Sequence, residues 1–410
     1  MKIAYVTVHD VSKWSAMSSN VAGVTGNASY MAKALQDQGL ELDFIGPLPN
    51  HRSLLSRLRE LYYGRLRGKR ILSYAEATAL RATARYVESK LADRQYDVVF
   101  SNMARAVAYL DVPRPIVTWR DATFAGALEI HRDFRNTAPF AIKMGHAMEK
   151  AALDRCALSI FRSDWAAKSA IEYYGADPAR VAVVPTGGNR GAAPPLDEVR
   201  SWVVSRSKEV CRLLFMGVQW KGKGGPLALE VVRRLNESGL RAQLTIVGCK
   251  PELEGAVPEY LKLEGFVNPG TAAGAAKLSQ FWKESHFLLL PSTVDTYGNV
   301  FPEANANAVP CLTTNLAGIP SIIRNDVNGR MFDPQAPAAD YCSYIARYWS
   351  DPRLYQEMAL ASHHEYETRL SWDVAGRRVK ELLGELVRSA APVAVERRMV
   401  GTAGSMPRTK

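Results

Sequence analysis

Short apolar runs recur along this chain, and the stretches between them switch to the three-and-four spacing of a helix. "KIAYVTV" opens the series. Glycines at Gly23 and Gly26 follow, then "NASYMAKALQDQGLELDFIGP", where Tyr30, Met31, Ala34 and Leu35 fall on one helical face and Gly39 stops the helix before the strand "LELDFIG". Strand, glycine-containing loop, helix and strand make a βαβ unit. "YDVVFSN", "RPIVTW", "ALSIFRS" and "VAVVPTGG" continue the pattern up to Gly188. A polar, proline-containing stretch, "NRGAAPPLDEVRSWVVSRSKE", interrupts it, and the pattern then restarts with "CRLLFMGV", "AQLTIVGC", "KLEGFV", "HFLLLPS" and "VPCLTTN". Apolar strands separated by helices predict parallel, doubly wound sheets. At 410 residues the chain is too long for one ordinary core. The expected architecture is therefore α/β with two Rossmann-like domains, 1–190 and 208–370, joined near 190–208. "SWDVAGRRVKELLGELVRSA" predicts a helix over 371–390 with Ser371 as N-cap, expected to cross back to the first domain. The tail 391–410 has no periodicity and is expected to be disordered.

Composition narrows the function classes. Hydrophobic residues at 47% and charged residues at 23% suit a globular protein, and no long uncharged apolar run predicts a spanning helix. The N-terminus reads as a strand and not as a signal peptide, which places the protein in the cytoplasm or at the inner face of the membrane. The five cysteines (Cys156, Cys211, Cys249, Cys311 and Cys342) lack metal-binding spacing and read as buried thiols. A net charge of +11 suits an anionic partner. Part of that charge is local: His51–Arg70 holds Arg52, Arg57, Arg59, Arg65, Arg67, Lys69 and Arg70 against Glu60 alone. Leu54, Leu55, Leu58, Leu61 and Tyr62 repeat there at helical spacing. The plainer expectation is a surface helix with its leucines packed on its own domain; the alternative is a face for an anionic membrane. Basic residues interleaved with aromatics are too few for nucleic-acid binding to be expected.

The chemistry is expected just beyond "FLLL", in "PSTVDTYGNVFPEANANAVP" (Pro291–Pro310). Ligands of open α/β sheets bind beyond the carboxyl ends of the strands. Gly298 permits a turn and Pro302 suits the first turn of a helix. The amides of Asn299, Val300 and Phe301 would then leave a helix N-terminus able to take a diphosphate. Glu303 could accept both hydroxyls of a ribose. Asp295, earlier in the loop, is expected to face a transferred sugar. The plainer role for both carboxylates is to complement the helix dipole.

The run from Pro291 through "LAGIPSIIRNDVNGRMF" resembles the signature of the family 4 retaining glycosyltransferases of GT-B fold. That signature has two glutamates separated by seven residues; Asp295 stands at the first and Glu303 at the second. "LLFMGVQWKGKGGPLALE" is similar to the family's strand, glycine and Lys-Gly segment, with Gly217 and Lys223 matching and Val218 where an arginine is common. The resemblance implies that Lys223 neutralises the leaving diphosphate, that Lys221 or Arg120 replaces the arginine, and that the Gly265–Val267 loop, with Phe266, holds the base. In the first half it implies a glycine-rich loop containing Gly26, and Asp121 in "IVTWRDATFAG" facing the donor sugar, with an N-cap as the plainer role for Asp121.

What the resemblance implies overall is transfer of a sugar, with retention, from a nucleoside diphosphate sugar to an acceptor hydroxyl. UDP is the favoured nucleotide and GDP the next. The acceptor classes are a glycan, a lipid-linked molecule and a small molecule. No cofactor is expected, and no metal, because the sequence contains no Asp-x-Asp triplet. A nucleotide-sugar epimerase of similar build and a basic nucleic-acid-binding protein remain the competing readings.

Overall fold

The computed structural model describes residues 1–11, 24–189, 193–253 and 255–390. Two parallel six-stranded sheets face each other. The first contains β1 (Lys2–Val6), β2 (Glu41–Ile45), β3 (Val98–Ser101), β4 (Ile116–Arg120), β5 (Leu158–Phe161) and β6 (Val181–Val183), in the order β2-β1-β3-β4-β5-β6. The second contains β7 (Cys211–Met216), β8 (Ala242–Val247), β9 (Leu261–Gly265), β10 (Phe287–Leu290), β11 (Cys311–Thr314) and β12 (Gly329–Phe332), in the order β12-β11-β10-β7-β8-β9. The chain order reverses between β1 and β3 in one sheet and between β7 and β10 in the other. These switch points open a crevice at the carboxyl ends of the strands.

Strand alternation sends successive side chains to opposite sides of the first sheet. Ala4, Val6 and Val99 join a core on one side, while Ile3, Tyr5, Val98 and Phe100 join another. The second core also contains Ala375, Val379 and Leu383, spaced by four along the helix Trp372–Ala390. The C-terminal helix thus crosses back to the first domain, and the Ser371 hydroxyl caps it by accepting the Val374 N–H at 3.3 Å.

Several local expectations need correction. The stretch read as a linker contains the helix Leu196–Ser205, whose Val199, Trp202 and Val203 lie in the core of the second domain. The first long helix already begins at Val24, so Gly26 sits in its opening turn and not in a loop. Gly23 and the tail 391–410 fall outside the described residues. The leucines of the basic segment do not pack on their own domain: Leu54, Leu55, Leu58, Leu61 and Leu66 are all exposed. Cys156, Cys211 and Cys311 are buried thiols, and Cys249 and Cys342 are half-buried ones.

Candidate functional site

A cleft of about 990 Å³ lies between the domains, lined by residues of both. The polar part of its second-domain wall comes from two loops that follow the adjacent strands β7 and β10, and Val247, Gly248, Phe266 and Val267 complete it from the ends of β8 and β9. The β7 loop supplies Gly217, Val218 and Lys223, and the β10 loop supplies Asp295 through Val300, followed by Glu303. Gly298 has a φ of +88°, and a Cβ there would fall 2.4 Å from the Phe301 ring, so the turn needs glycine. Lys223 Nζ donates to Asp295 Oδ2 and forms an ion pair with it. The cation expected at a diphosphate and the carboxylate expected at a sugar are therefore partners across the two loops.

Phe266 and Val267 lie at the far lip, with Phe266 exposed to the cleft. Glu303 faces the loop that leaves the first domain: its Oε1 accepts the Asn189 N–H at 3.1 Å. A Cβ on Gly188 would lie 2.1 Å from Glu303 Cγ, so only glycine lets the two segments approach this closely. The Tyr297 hydroxyl clamps the same loop, accepting from Thr186 N–H at 2.7 Å and donating to Thr186 C=O at 2.8 Å.

The first-domain wall centres on a residue not expected from the sequence. Arg162, directly after β5, is fully buried. Its guanidinium donates to Thr186 Oγ1 at 2.6 Å, Asp121 Oδ1 at 2.8 Å and Asn299 Oδ1 at 2.6 Å. It also lies 3.8 Å from the centre of the Tyr297 ring, at which distance the ring face attracts the cation. Burial raises the pKa of the Tyr297 phenol, so the ring stays neutral beneath this cation. Asn27 completes the network, donating to Asp121 Oδ2 at 3.1 Å and accepting from Asn299 at 3.0 Å and Asn189 at 2.8 Å. Asp121 is thus not a helix cap; Thr123 caps the helix Phe124–Ile130.

Deeper in the first domain, Arg120 donates to Glu149 at 2.6 Å, and both are buried. Arg70 and Arg105 line the cleft, each over an aromatic ring: Phe134 at 5.3 Å and Tyr74 at 5.5 Å.

The expected residues therefore divide. Asp295, Lys223, Asp121, Glu303, Gly298, Asn299, Val300, Gly217 and Phe266 converge on the cleft. Three others do not. Phe301 is a core side chain, and its N–H is taken by the Gly298 carbonyl at 3.1 Å. Lys221 points to the surface, where it pairs with Glu252 at 2.8 Å. Gly26 packs against the Asn189 side chain. Arg120 lines the cleft too, but on the first-domain wall, where Glu149 holds its guanidinium.

Comparison with known proteins decides the family. Residues 211–351 match the model for glycosyl transferases group 1, and residues 21–189 match the model for glycosyltransferase family 4. The chain belongs to this family of GT-B glycosyltransferases. The D-inositol 3-phosphate glycosyltransferase of Thermobifida fusca is 26% identical to it over 226 residues, 52% of each chain. That of Streptomyces bingchenggensis is 25% identical over 270 residues, 61% of this chain and 57% of the relative. The chain spans about half the length of the curated relatives it matches. Among solved structures, sucrose-phosphate synthase from Thermosynechococcus elongatus shares the fold with a TM-score of 0.65 at 13% identity, covering 94% of this chain and all (100%) of that one. Anabaena Alr3699/HepE, solved in complex with UDP and glucose, has a TM-score of 0.58 at 14% identity over 94% of this chain and 99% of its own.

Proposed function

We propose that the protein transfers a sugar from a nucleoside diphosphate sugar, UDP first, to an acceptor hydroxyl with retention at the anomeric carbon. The observation that carries this reading is the convergence of Lys223, Asp295, Gly298 and Glu303 on one wall of an interdomain cleft, with Asp121 opposite. Glu303 would take the ribose hydroxyls, and Phe266 would lie against the base. Lys223 and the backbone of Gly298–Val300 would hold the diphosphate, where hydrogen bonds to a charged group are strong. The UDP-bound neighbour supports the choice of nucleotide.

In the reaction the bond from the anomeric carbon to the β-phosphate oxygen breaks. The acceptor oxygen bonds to that carbon on the same face, and the acceptor proton passes to the departing phosphate. Lys223 would stabilise the charge growing on that phosphate, an effect that acts most strongly where water is excluded. Asp295 would hold Lys223 in place before the donor arrives and would face the sugar afterwards. Arg70 and Arg105 give the acceptor half of the cleft a positive character. That supports trying a phosphate-bearing polyol first, the acceptor class in the names of the relatives. Donor binding needs no metal in this account, so activity should survive chelation by EDTA.

A thermal-shift panel of nucleoside diphosphates tests the reading. Ligand at a hundred times its dissociation constant adds about 2.7 kcal/mol of stability. A rise in melting temperature with UDP is expected, and no rise with any nucleotide would contradict the proposal.

A further inference from the structure

The helix Leu54–Leu61 and the π-helical turn Tyr62–Leu66 that extends it sit on the first domain with the faces reversed. The side turned inward is largely polar. Ser56 is buried, and its hydroxyl donates to Glu76. Arg59 reaches the same carboxylate at 3.5 Å, and Tyr63 lies on Phe140 with ring centroids 4.9 Å apart. The side turned outward is apolar. Leu54, Leu55, Leu58, Leu61 and Leu66, all between 50% and 78% exposed, form one stripe with Tyr62. A surface helix ordinarily buries its stripe, so an exposed one marks an interaction face.

The charge around the stripe identifies the partner. Arg57, Arg65 and Lys69 have no carboxylate within ion-pair distance among the described residues. Glu60, the one acid from His51 to Arg70, is engaged by Arg52 at 3.4 Å. A second copy of the chain is a poor occupant, because a two-fold contact would set these cations against themselves. We propose that residues 54–70 dock on an anionic lipid membrane, the leucines entering the boundary between headgroups and acyl chains while Arg57, Arg65 and Lys69 meet lipid phosphates. No helix among the described residues is long and apolar enough to cross a membrane, so this face lies on the surface. Arg70, at the end of the segment, lines the cleft. Docking therefore brings the acceptor half of the cleft to the membrane. The inference stands apart from the proposed reaction, and its test needs no turnover.

Flotation of the full chain with phosphatidylcholine vesicles, with and without phosphatidylglycerol, provides the test. The wild type should float with the mixed vesicles and stay behind with the neutral ones. Leu54→Ser/Leu58→Ser/Leu61→Ser and Arg57→Glu/Arg65→Glu should each lose about tenfold or more of that partitioning. Both variants should keep the wild-type melting temperature, since the altered side chains are exposed. Three results would overturn the inference. One is failure of the wild type to float with either vesicle, and another is equal flotation with both. The third is a dimer in analytical ultracentrifugation that the leucine variant dissolves, which would assign the face to a second copy.

Discussion

The two walls of the cleft are built differently. The carboxylates of the second-domain wall sit on one short stretch: Asp295 to Glu303 follow one strand, and Lys223 comes from the loop after its neighbour. The first-domain wall gathers Asn27, Asp121, Arg162 and Asn189 from four separate segments around a fully buried cation. The first kind of wall is set by local backbone, and the second exists only when the whole domain is folded. Damage to the first-domain wall should therefore cost stability and domain coupling, and also rate where the residue faces the sugar. Damage to the second-domain wall should appear as lost donor affinity or rate.

The largest effect is expected at Arg162. Arg162→Met removes three hydrogen bonds and a ring contact at once, and breaks a pair whose cation is wholly buried. Losing hydrogen bonds to a charged group costs roughly 1.5–3 kcal/mol, to be read by urea denaturation. A loss below about 1 kcal/mol, the scale of an exposed pair, would erase the contrast between the walls.

Next comes Lys223→Ala. Its turnover should fall about 10²–10³-fold, the scale of removing one group that stabilises developing charge. Asp295→Asn sharpens the point. It removes the anion that engages Lys223, so UDP should bind it at least as tightly as the wild type, yet turnover should drop. Weaker UDP binding by Asp295→Asn would place Asp295 on the nucleotide.

Acid should act on the second domain through His286. Burial, aided by the charge of Arg206, pushes its pKa down to about 3. The ring is held neutral, with Nδ1 accepting the Arg212 N–H at 3.0 Å and Nε2 lying 3.0 Å from the Ser207 carbonyl. Between pH 6.5 and 3 the unfolded chain binds a proton that the folded chain refuses. Stability is thus complete above about pH 6.5 and falls by up to ~1.4 kcal/mol per pH unit below it. Urea midpoints across this window check the effect, and His286→Gln should flatten the slope.

What the sequence made legible follows the same division. The β10 loop could be read because its function depends on neighbours in the chain. Gly298, Glu303 and Asp295 keep their relation whatever the rest of the fold does. Arg162 could not be read this way, since its partners lie 41, 24 and 137 positions away. One signal was present: a charged residue directly after the apolar "SIF", at the carboxyl end of a strand where ligands gather. Phe301 looked like part of an anion site because its amide is in the first helical turn, but turn formation takes up that amide. At residues 54–66 the stripe was visible from spacing alone. Its direction was not, because that depends on Glu76 and Phe140 receiving the opposite face.

The most direct test compares UDP binding by calorimetry in Glu303→Ala and Asp121→Asn. If the second-domain wall holds the nucleotide, Glu303→Ala loses a charged acceptor worth roughly 1.5–3 kcal/mol and binds UDP about ten- to a hundredfold more weakly. Asp121→Asn should bind UDP as the wild type does and lose turnover instead. Wild-type affinity in Glu303→Ala together with weakened binding in Asp121→Asn would put the nucleotide on the opposite wall and contradict the account.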